Sequence, residues 1–104
     1  MDNLIIFITA SSKREAKKIA TNLVGKRLVA CVNIVPGVES IFTWKGKFEV
    51  AKETLLIAKT KAALFTKVEK AVKKMHSYEC PEIIAFPITK GNRDYLKWIR
   101  GAAL

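Results

Sequence analysis

The sequence contains few of the residues on which catalytic and structural metal sites depend. It has one histidine and two cysteines in 104 residues, and the cysteines, Cys31 and Cys80, form no C-x-x-C pair. This spacing argues against a disulfide scaffold or a structural zinc site and favours reduced thiols. No G-x-S-x-G, Walker, H-E-x-x-H or glycine-rich dinucleotide motif is present. Because His76 has no evident nucleophile with a third orienting group, we expect no enzyme activity.

Long apolar runs are also missing. The longest, Leu4 to Ile8, is far shorter than the ~20 residues that a membrane-spanning helix requires, and no cationic leader precedes a cleavable apolar segment. We therefore expect a cytoplasmic protein with no membrane partner. Half of the residues are hydrophobic, so the chain can bury one core, and its length predicts a single domain over residues 1–104.

Acidic residues are scarce: nine Asp and Glu stand against nineteen Lys and Arg, a formal net charge of +10. Such a charge raises nucleic acid, an acidic membrane surface or an acidic protein as partners. Many cations, however, fall on the outward faces of two predicted helices, where cations ordinarily maintain solubility: Lys13, Arg14, Lys17, Lys18, Lys67, Lys70, Lys73 and Lys74. We favour a solvated face for them, with a binding surface as the alternative.

The residues that are present predict strands and helices in turn. Leu4 to Ile8 is typical of a strand buried on both faces, and hence of a central one. Ser12 and Glu15 fit a capping box at a helix start. Gly25 is placed to end that helix in a left-handed conformation.

The second half of the chain repeats the alternation. An amphipathic stripe predicts a helix from Ala62 to Met75, and a strand follows from Glu82 to Phe86, at a sheet edge because of Pro87. Asn92 can cap a last helix, for which the predicted packing face is Tyr95, Leu96, Trp98 and Ile99. With two long strands between Arg27 and Thr60, the order is β-α-β-β-α-β plus a trailing helix, which predicts an α+β ferredoxin-like fold over one antiparallel sheet.

The stretch from Arg27 to Thr60 is predicted to form two long strands joined at residues 44–47. Pro36-Gly37 marks a bulge and an edge position for the first strand, and Gly46 can take the positive φ of a tight turn. This turn sets a register in which three cross-strand pairs are mutually compatible: Ile41 with Val50, Thr43 with Phe48, and Glu39 with Lys52.

The hairpin is too long for its own domain. Sixteen residues from Leu28 to Thr43 would extend roughly 50 Å, whereas a compact chain of this length spans roughly 35 Å. If the apolar side chains at its tip stayed in water, the protein would lose on the order of 7 to 15 kcal/mol of hydrophobic stabilisation. This is comparable to the stability of a whole domain. We therefore predict an oligomerisation arm in which a neighbouring subunit covers Ile41, Phe42, Trp44, Phe48 and Val50.

Soft and hard metal ligands gather around the only histidine: Met75, His76, Glu79, Cys80 and Glu82, with Cys31 distant in sequence. Thiolate with imidazole favours copper or zinc, although this spacing matches no fixed site. The structural alternatives are a helix C-terminal cation for His76 and a small buried hydrophobe for Cys31.

An RNA-recognition module has the same order of elements. Ile6 to Thr9 and Lys45 to Val50 loosely match its two motifs. The stacking aromatics are missing, however, and Lys45-Gly46 is needed as a turn. We therefore expect no nucleic-acid partner of this kind.

Several separated blocks at matching spacing closely resemble the CutA1 divalent cation tolerance family: Arg27 to Asn33, Trp44 to Lys47, Glu53 with Lys59-Thr60, His76 to Ile84, and Tyr95 to Ile99. The resemblance covers almost the whole chain. It implies a ferredoxin-like subunit in a tight homotrimer, similar in architecture to PII signalling proteins. It also implies a cytoplasmic protein linked to tolerance of copper and other divalent cations, rather than an enzyme. A PII-like sensor of an anionic metabolite or nucleotide is the alternative.

The resemblance also implies site residues. Cys31 and His76 match the family's candidate copper ligands, and Met75, where some relatives have a second histidine, can offer a thioether to Cu(I). We expect weak copper binding in clefts between subunits and no obligatory cofactor. Cys80 is not a shared position.

A shared cleft is implied as well, with packing of the last helix against the turn as the structural alternative for its members: Tyr78, Pro81, Glu82, Tyr95 and Trp98. Lys59, at the end of an apolar strand, needs a nearby carboxylate. Glu53 or Glu82 can supply it.

Overall fold

A computed structural model describes residues 2–104. The chain forms β1 (Asn3–Ala10), α1 (Lys13–Gly25), β2 (Cys31–Trp44), β3 (Lys47–Lys61), a 3-10 turn (Ala62–Leu64), α2 (Phe65–Met75), β4 (Ile83–Pro87) and α3 (Arg93–Ala102). The four strands make one antiparallel sheet in the order β2-β3-β1-β4. This confirms the predicted α+β fold, with β1 central and β2 and β4 at the edges.

One face of the sheet packs against α1 and α2. Ile6 and Ile8 of β1 are fully buried there, opposite Ala58 and Leu56 of β3. The helices contribute Ile19, Leu23, Val68 and Val72 to the same core. The apolar stripes of both helices therefore point into the sheet, and their polar faces point away from it.

The end of α1 differs from the prediction. Gly25 still belongs to the helix, and the left-handed residue is Arg27, with φ 58°. The amides of Arg27 and Leu28 donate to the carbonyls of Val24 and Leu23, which is the hydrogen-bond pattern of a Schellman motif. The Arg27 guanidinium also donates to the carbonyls of Gly101 and Ala102, so contacts with α3 offset the conformational cost.

All three helix starts are close to the predictions. Ser12 caps α1 by accepting from the Glu15 amide, but the Glu15 carboxylate returns to Ser11 rather than to Ser12. The second helix begins at Phe65, three residues later than predicted, because the 3-10 turn precedes it. Asn92 caps α3 through the Tyr95 amide, as predicted.

The hairpin has the predicted register. Ile41 faces Val50, Thr43 faces Phe48 and Glu39 faces Lys52, and the ladder shifts between Val35 and Val38, at the Pro36-Gly37 bulge. Lys45 and Gly46 both have positive φ, 52° and 79°, as a type I′ turn requires. The first strand begins at Cys31, later than the predicted Leu28. The chain measures 44 Å along its longest axis against 26 and 22 Å along the others.

The second face of the sheet is mostly open. Helix α3 covers one end, where the Asn3 side-chain amide donates to the Leu96 carbonyl. Strand alternation places a continuous apolar surface on the rest of this face: Ile5, Phe7, Leu55, Ile57, Ile84 and Phe86, all half-buried or exposed. The predicted packing face of α3 is only partly correct, because Ile99 is buried whereas Tyr95 and Trp98 are 43% and 48% exposed.

Candidate functional site

A cleft of about 880 Å³ lies between the hairpin and the loop that joins α2 to β4. Lys45 at the hairpin turn approaches Glu79 of the loop at 3.7 Å. The lining comes from both segments and from β1: Thr9, Ser40, Ile41, Phe42, Trp44, Glu49, Ala51, Glu53, Ser77, Tyr78, Glu79, Cys80 and Glu82. The cleft thus joins the apolar hairpin tip to the loop that follows the only histidine.

His76 holds the start of this loop. Its side chain is completely buried, its Nε2 lies 2.7 Å from the Thr9 carbonyl oxygen, and its Nδ1 accepts from the Tyr78 amide at 3.1 Å. Since Nδ1 is the acceptor, these partners place the ring proton on Nε2, which donates to Thr9. Both ring nitrogens are therefore used in joining the loop to β1.

Glu15 holds the same loop from α1. One carboxylate oxygen accepts from the Ser77 amide at 2.8 Å, and the other accepts from the amide and hydroxyl of Ser11. Burial alone would raise the pKa of this carboxyl, but hydrogen bonds from Ser11 and Ser77 outweigh it and lower the pKa to about 2. Glu15 is therefore an ionised clamp between the start of α1 and the end of α2.

Tyr78 and Glu53 form the polar floor of the cleft. The Tyr78 hydroxyl donates to Glu53 Oε2 at 2.7 Å, and Glu53 is only 8% exposed. Burial, and then the hydrogen bond to Glu53, raise the pKa of the Tyr78 hydroxyl. Burial, and then the negative charge of Glu53, raise the pKa of Glu82. Within residues 2–104, Glu53 has no Lys, Arg or His in an ion pair with it.

The charge of the cleft is opposite to that of the chain. Its lining contains four of the nine acidic residues, Glu49, Glu53, Glu79 and Glu82, and no lysine or arginine among the described residues. One cation, Lys45, lies at its edge and pairs with Glu79. The chain as a whole carries +10. A concave surface lined by one sign of charge concentrates counter-ions of the other sign.

Lys59 does not lie near these carboxylates. Its ammonium donates to the Asn33 side-chain oxygen and approaches the Cys31 sulfur at 3.8 Å. The predicted pairing of Lys59 with Glu53 or Glu82 is therefore wrong, because Lys59 faces Cys31 across the ladder, six residues along β3 from Glu53. Burial and the neighbouring Cys31 raise the pKa of the Tyr95 hydroxyl. Tyr95 therefore lies near Cys31 and Lys59.

The three candidate copper ligands do not converge within one chain. Cys31 faces Lys59, whereas His76 contacts Thr9, which faces Leu55. These positions are four residues apart along β3, or roughly 13 Å. Met75 lines a different groove, between α1 and α2. From Asp2 to Leu104 the chain has no group of three His, Cys, Asp or Glu placed to hold a metal ion.

Of the predicted cleft residues, Tyr78, Glu53 and Glu82 line the cleft, whereas Pro81 does not. Trp98 stacks near Tyr95, with ring centroids 5.6 Å apart on α3. Glu49 was not predicted from the sequence. Its spacing from Glu53 was the available signal, because residues four apart on a strand share a face.

Residues 4–102 match the sequence model of the family described as CutA1 divalent ion tolerance protein. The divalent-cation tolerance protein CutA of Thermus thermophilus is 48% identical over 96 residues, which cover 92% of this chain and 93% of that protein. The chloroplastic protein CutA 1 of rice is 40% identical over 100 residues, or 96% of this chain and 56% of the relative.

The chain thus spans about half the length of some relatives that it matches. The solved structure of the Thermus thermophilus divalent cation tolerance protein superposes with a TM-score of 0.95 at 46% identity. That superposition covers 97% of this chain and 98% of the other. The fold is therefore shared over nearly the whole chain.

Proposed function

The chain belongs to the CutA1 family of divalent ion tolerance proteins, and we propose that it binds divalent cations in its acidic cleft and works as a homotrimer. The observation that carries the proposal is the segregation of charge. Glu49, Glu53, Glu79 and Glu82 line one cleft in a chain of +10, and the only Lys or Arg that pairs with any of them within residues 2–104 is Lys45, at the edge of the cleft. The local negative charge of the cleft attracts a cation, although the net positive charge of the whole protein repels it.

The donor set fits a hydrated, loosely held ion. Carboxylate and hydroxyl oxygens are ligands for hard divalent cations, and the exposed thiol of Cys80 at the same cleft adds a soft ligand that suits copper or zinc. Weak copper binding without an obligatory cofactor therefore remains our proposal. We place the ion on the carboxylates, because His76 would have to give up a hydrogen bond to ligate it.

Oligomerisation is the second part of the proposal. Ile41, Phe48 and Val50 at the hairpin tip are 64%, 75% and 53% exposed, and the sheet face opposite α1 and α2 is apolar and open. Burying such side chains contributes about 1.5 to 3 kcal/mol each. Since Ile41, Phe42 and Trp44 also line the cleft, a subunit that covers the tip would close the cation site.

Two alternatives are less well supported. A PII-like sensor of an anionic metabolite would need a cationic lining, which the described part of this cleft lacks. An RNA-recognition module stacks bases on aromatics of both central strands. Here β3 presents Leu55 and Ile57 on the open face, and Phe7 of β1 packs edge-on against Phe86. A cytoplasmic, non-enzymatic protein remains the expectation, and no helix within residues 2–104 is long and apolar enough to cross a membrane.

Isothermal titration with Cu²⁺, and separately with Zn²⁺, tests the cation site. We expect the double variant E49Q/E53Q to lose at least tenfold in affinity. The control E69Q, which removes a carboxylate from the surface of α2, should bind like wild type. Equal isotherms for all three proteins would refute the placement of the ion in the cleft. A parallel titration of C31S and C80S shows whether either thiol contributes.

A further inference from the structure

Helices α1 and α2 expose every cation that they carry. All eight are solvent-exposed: Lys13, Arg14, Lys17, Lys18, Lys67, Lys70, Lys73 and Lys74. In the part of the chain that the structure describes, none of them forms an ion pair. The two helices contain only two acidic residues, and Glu15 is already held by Ser11 and Ser77. We call this surface the basic layer.

The two helices lie side by side with opposite directions. Glu15, in the first turn of α1, accepts from Ser77, just after the end of α2, and both helices pack on the same core. Packed helices lie about 8–10 Å apart, and cations three or four residues apart on one helix lie about 5–6 Å apart. The cations occupy residues 13–18 of α1 and 67–74 of α2, which is about 8 to 10 Å of each helix. The basic layer is therefore two compact groups of four cations that lie side by side.

The basic layer is separate from both surfaces used by the proposed function. It lies on the opposite side of the sheet from the open apolar face, and Glu49, Glu53, Glu79 and Glu82 gather in the cleft, which contains none of its eight cations. Association through the apolar face and the hairpin tip would leave the basic layer in solvent. Each subunit would then present one such layer outward.

We propose that the basic layer binds the phosphate backbone of duplex nucleic acid without reading its bases. The two groups of cations, one on each helix, can contact phosphates on both sides of a duplex groove, and lysines that have no ion-pair partner displace counter-ions when they contact phosphates. Proteins bind single-stranded nucleic acid mainly by stacking its bases on exposed aromatic side chains. Helix α1 has no aromatic residue, and Phe65, the only one in α2, packs against the core.

The same surface is poorly suited to insertion into a membrane. Val24, at 43% exposed, is the only large apolar side chain that α1 and α2 leave exposed within residues 2–104. Interfacial helices instead bury a wide apolar face among the lipids. The sequence pattern favoured a solvated face for these cations. The structure adds that none of the eight forms an ion pair within residues 2–104, so all eight are available to contact phosphates.

Fluorescence anisotropy with a labelled random-sequence DNA duplex tests the proposal at several salt concentrations. The full chain is compared with two variants that each lose four positive charges. The layer variant carries Gln at Lys13, Lys17, Lys70 and Lys74. The control variant carries Gln at four exposed lysines elsewhere: Lys47, Lys52, Lys90 and Lys97. Thermal unfolding of all three proteins checks that they are folded.

We expect wild type and control to bind the duplex, with an affinity that falls steeply as salt rises. The layer variant should bind at least tenfold more weakly at low salt, with a log–log salt slope lower by about 3 to 4, because about 0.9 counter-ion is released per phosphate contact. Loss of binding in both variants alike would overturn the proposal, because net charge alone would then account for it.

Three other outcomes would also overturn it. The first is no binding of the duplex by wild type at low salt. The second is tighter binding of the matching single strand than of the duplex. The third is retention on phosphatidylserine vesicles without binding of the duplex, which would assign the layer to an anionic membrane surface.

Discussion

The Tyr78 hydroxyl donates a 2.7 Å hydrogen bond to the buried carboxylate of Glu53, and this contact joins the loop after α2 to the middle of β3. It forms the floor of the acidic cleft. It is also the only hydrogen bond to the Glu53 side chain within residues 2–104.

Replacing Tyr78 with phenylalanine should therefore destabilise the fold. The Y78F variant keeps the ring but leaves a buried carboxylate without its donor, which costs about 1–3 kcal/mol. Urea unfolding measures the change in the free energy of unfolding. The control Y95F alters a tyrosine that is 43% exposed and should change stability by less than about 0.5 kcal/mol. Equal effects of the two variants would show that the Glu53 contact has no special importance.

The imidazole of His76 should prove structural. The H76F variant keeps an aromatic ring but loses both hydrogen bonds, to Thr9 and from Tyr78, so we expect a loss of about 2–4 kcal/mol in the free energy of unfolding. Hydrogen exchange of the Tyr78 amide should accelerate because its acceptor is gone. The neighbouring substitution M75L serves as the control. Unchanged stability with lost copper binding would instead return His76 to the role of a ligand.

Acid should release the clamp formed by Glu15. Its pKa in the folded chain is about 2, against an ordinary value of 4.5, so its contribution to stability is full above about pH 4.5. That contribution is lost as the pH falls from about 4.5 towards 2, because the unfolded state then binds the proton more readily. The E15Q variant should be less stable than wild type by about 1–3 kcal/mol at pH 7. The difference should shrink below pH 4.5.

Unfolding of wild type, E15Q and E69Q across this pH range measures the effect. E69Q should show the same pH dependence as wild type. A constant gap between wild type and E15Q from pH 7 to 3 would contradict the assignment.

The left-handed Arg27 offers a test of how backbone conformation and side-chain contacts combine. R27A keeps the unfavourable φ of 58° and loses the guanidinium bonds to Gly101 and Ala102, so it should lose about 1–2 kcal/mol. R27G loses the same bonds but relieves the conformational cost, which is worth roughly 1 kcal/mol. R27G should therefore be more stable than R27A. The reverse order, measured by thermal unfolding, would rule out this account of the helix end.

The apolar hairpin tip should control assembly. The double variant F48D/V50D replaces side chains that are 75% and 53% exposed and lie outside the cleft lining. Charges there would be desolvated by a covering subunit, so we expect the molar mass from light scattering to fall toward 11.6 kDa. The control K47D, at the exposed end of the same strand, should leave the mass unchanged. An unaltered mass for F48D/V50D would remove the tip from the interface.

The hairpin shows what local sequence can predict. Its turn residues and compatible cross-strand pairs determine one register, and Pro36-Gly37 can only be accommodated as a bulge. The resemblance to the CutA1 family was equally clear from the sequence, because the matching blocks occur in order along the chain. Both signals lie in the sequence itself, and neither depends on distant contacts.

The cleft depends instead on tertiary packing. Glu49 and Glu53 become one site with Glu79 and Glu82 only when His76 and Glu15 hold the loop against β1 and α1. For the same reason the partner of Lys59 could not be predicted, because strand pairing places Lys59 beside Asn33 and Cys31. The left-handed Arg27 was missed because contacts with the end of α3 compensate for a conformation in which glycine would be expected.

Native mass spectrometry of the wild-type chain, with and without Cu²⁺, tests the central claim most directly, since it reads subunit number and bound ions together. The account predicts a trimer of 11.6 kDa chains that takes up Cu²⁺ in the wild type and in E69Q, and markedly less in E49Q/E53Q. A lone chain at micromolar concentration, or equal uptake by all three proteins, would contradict it.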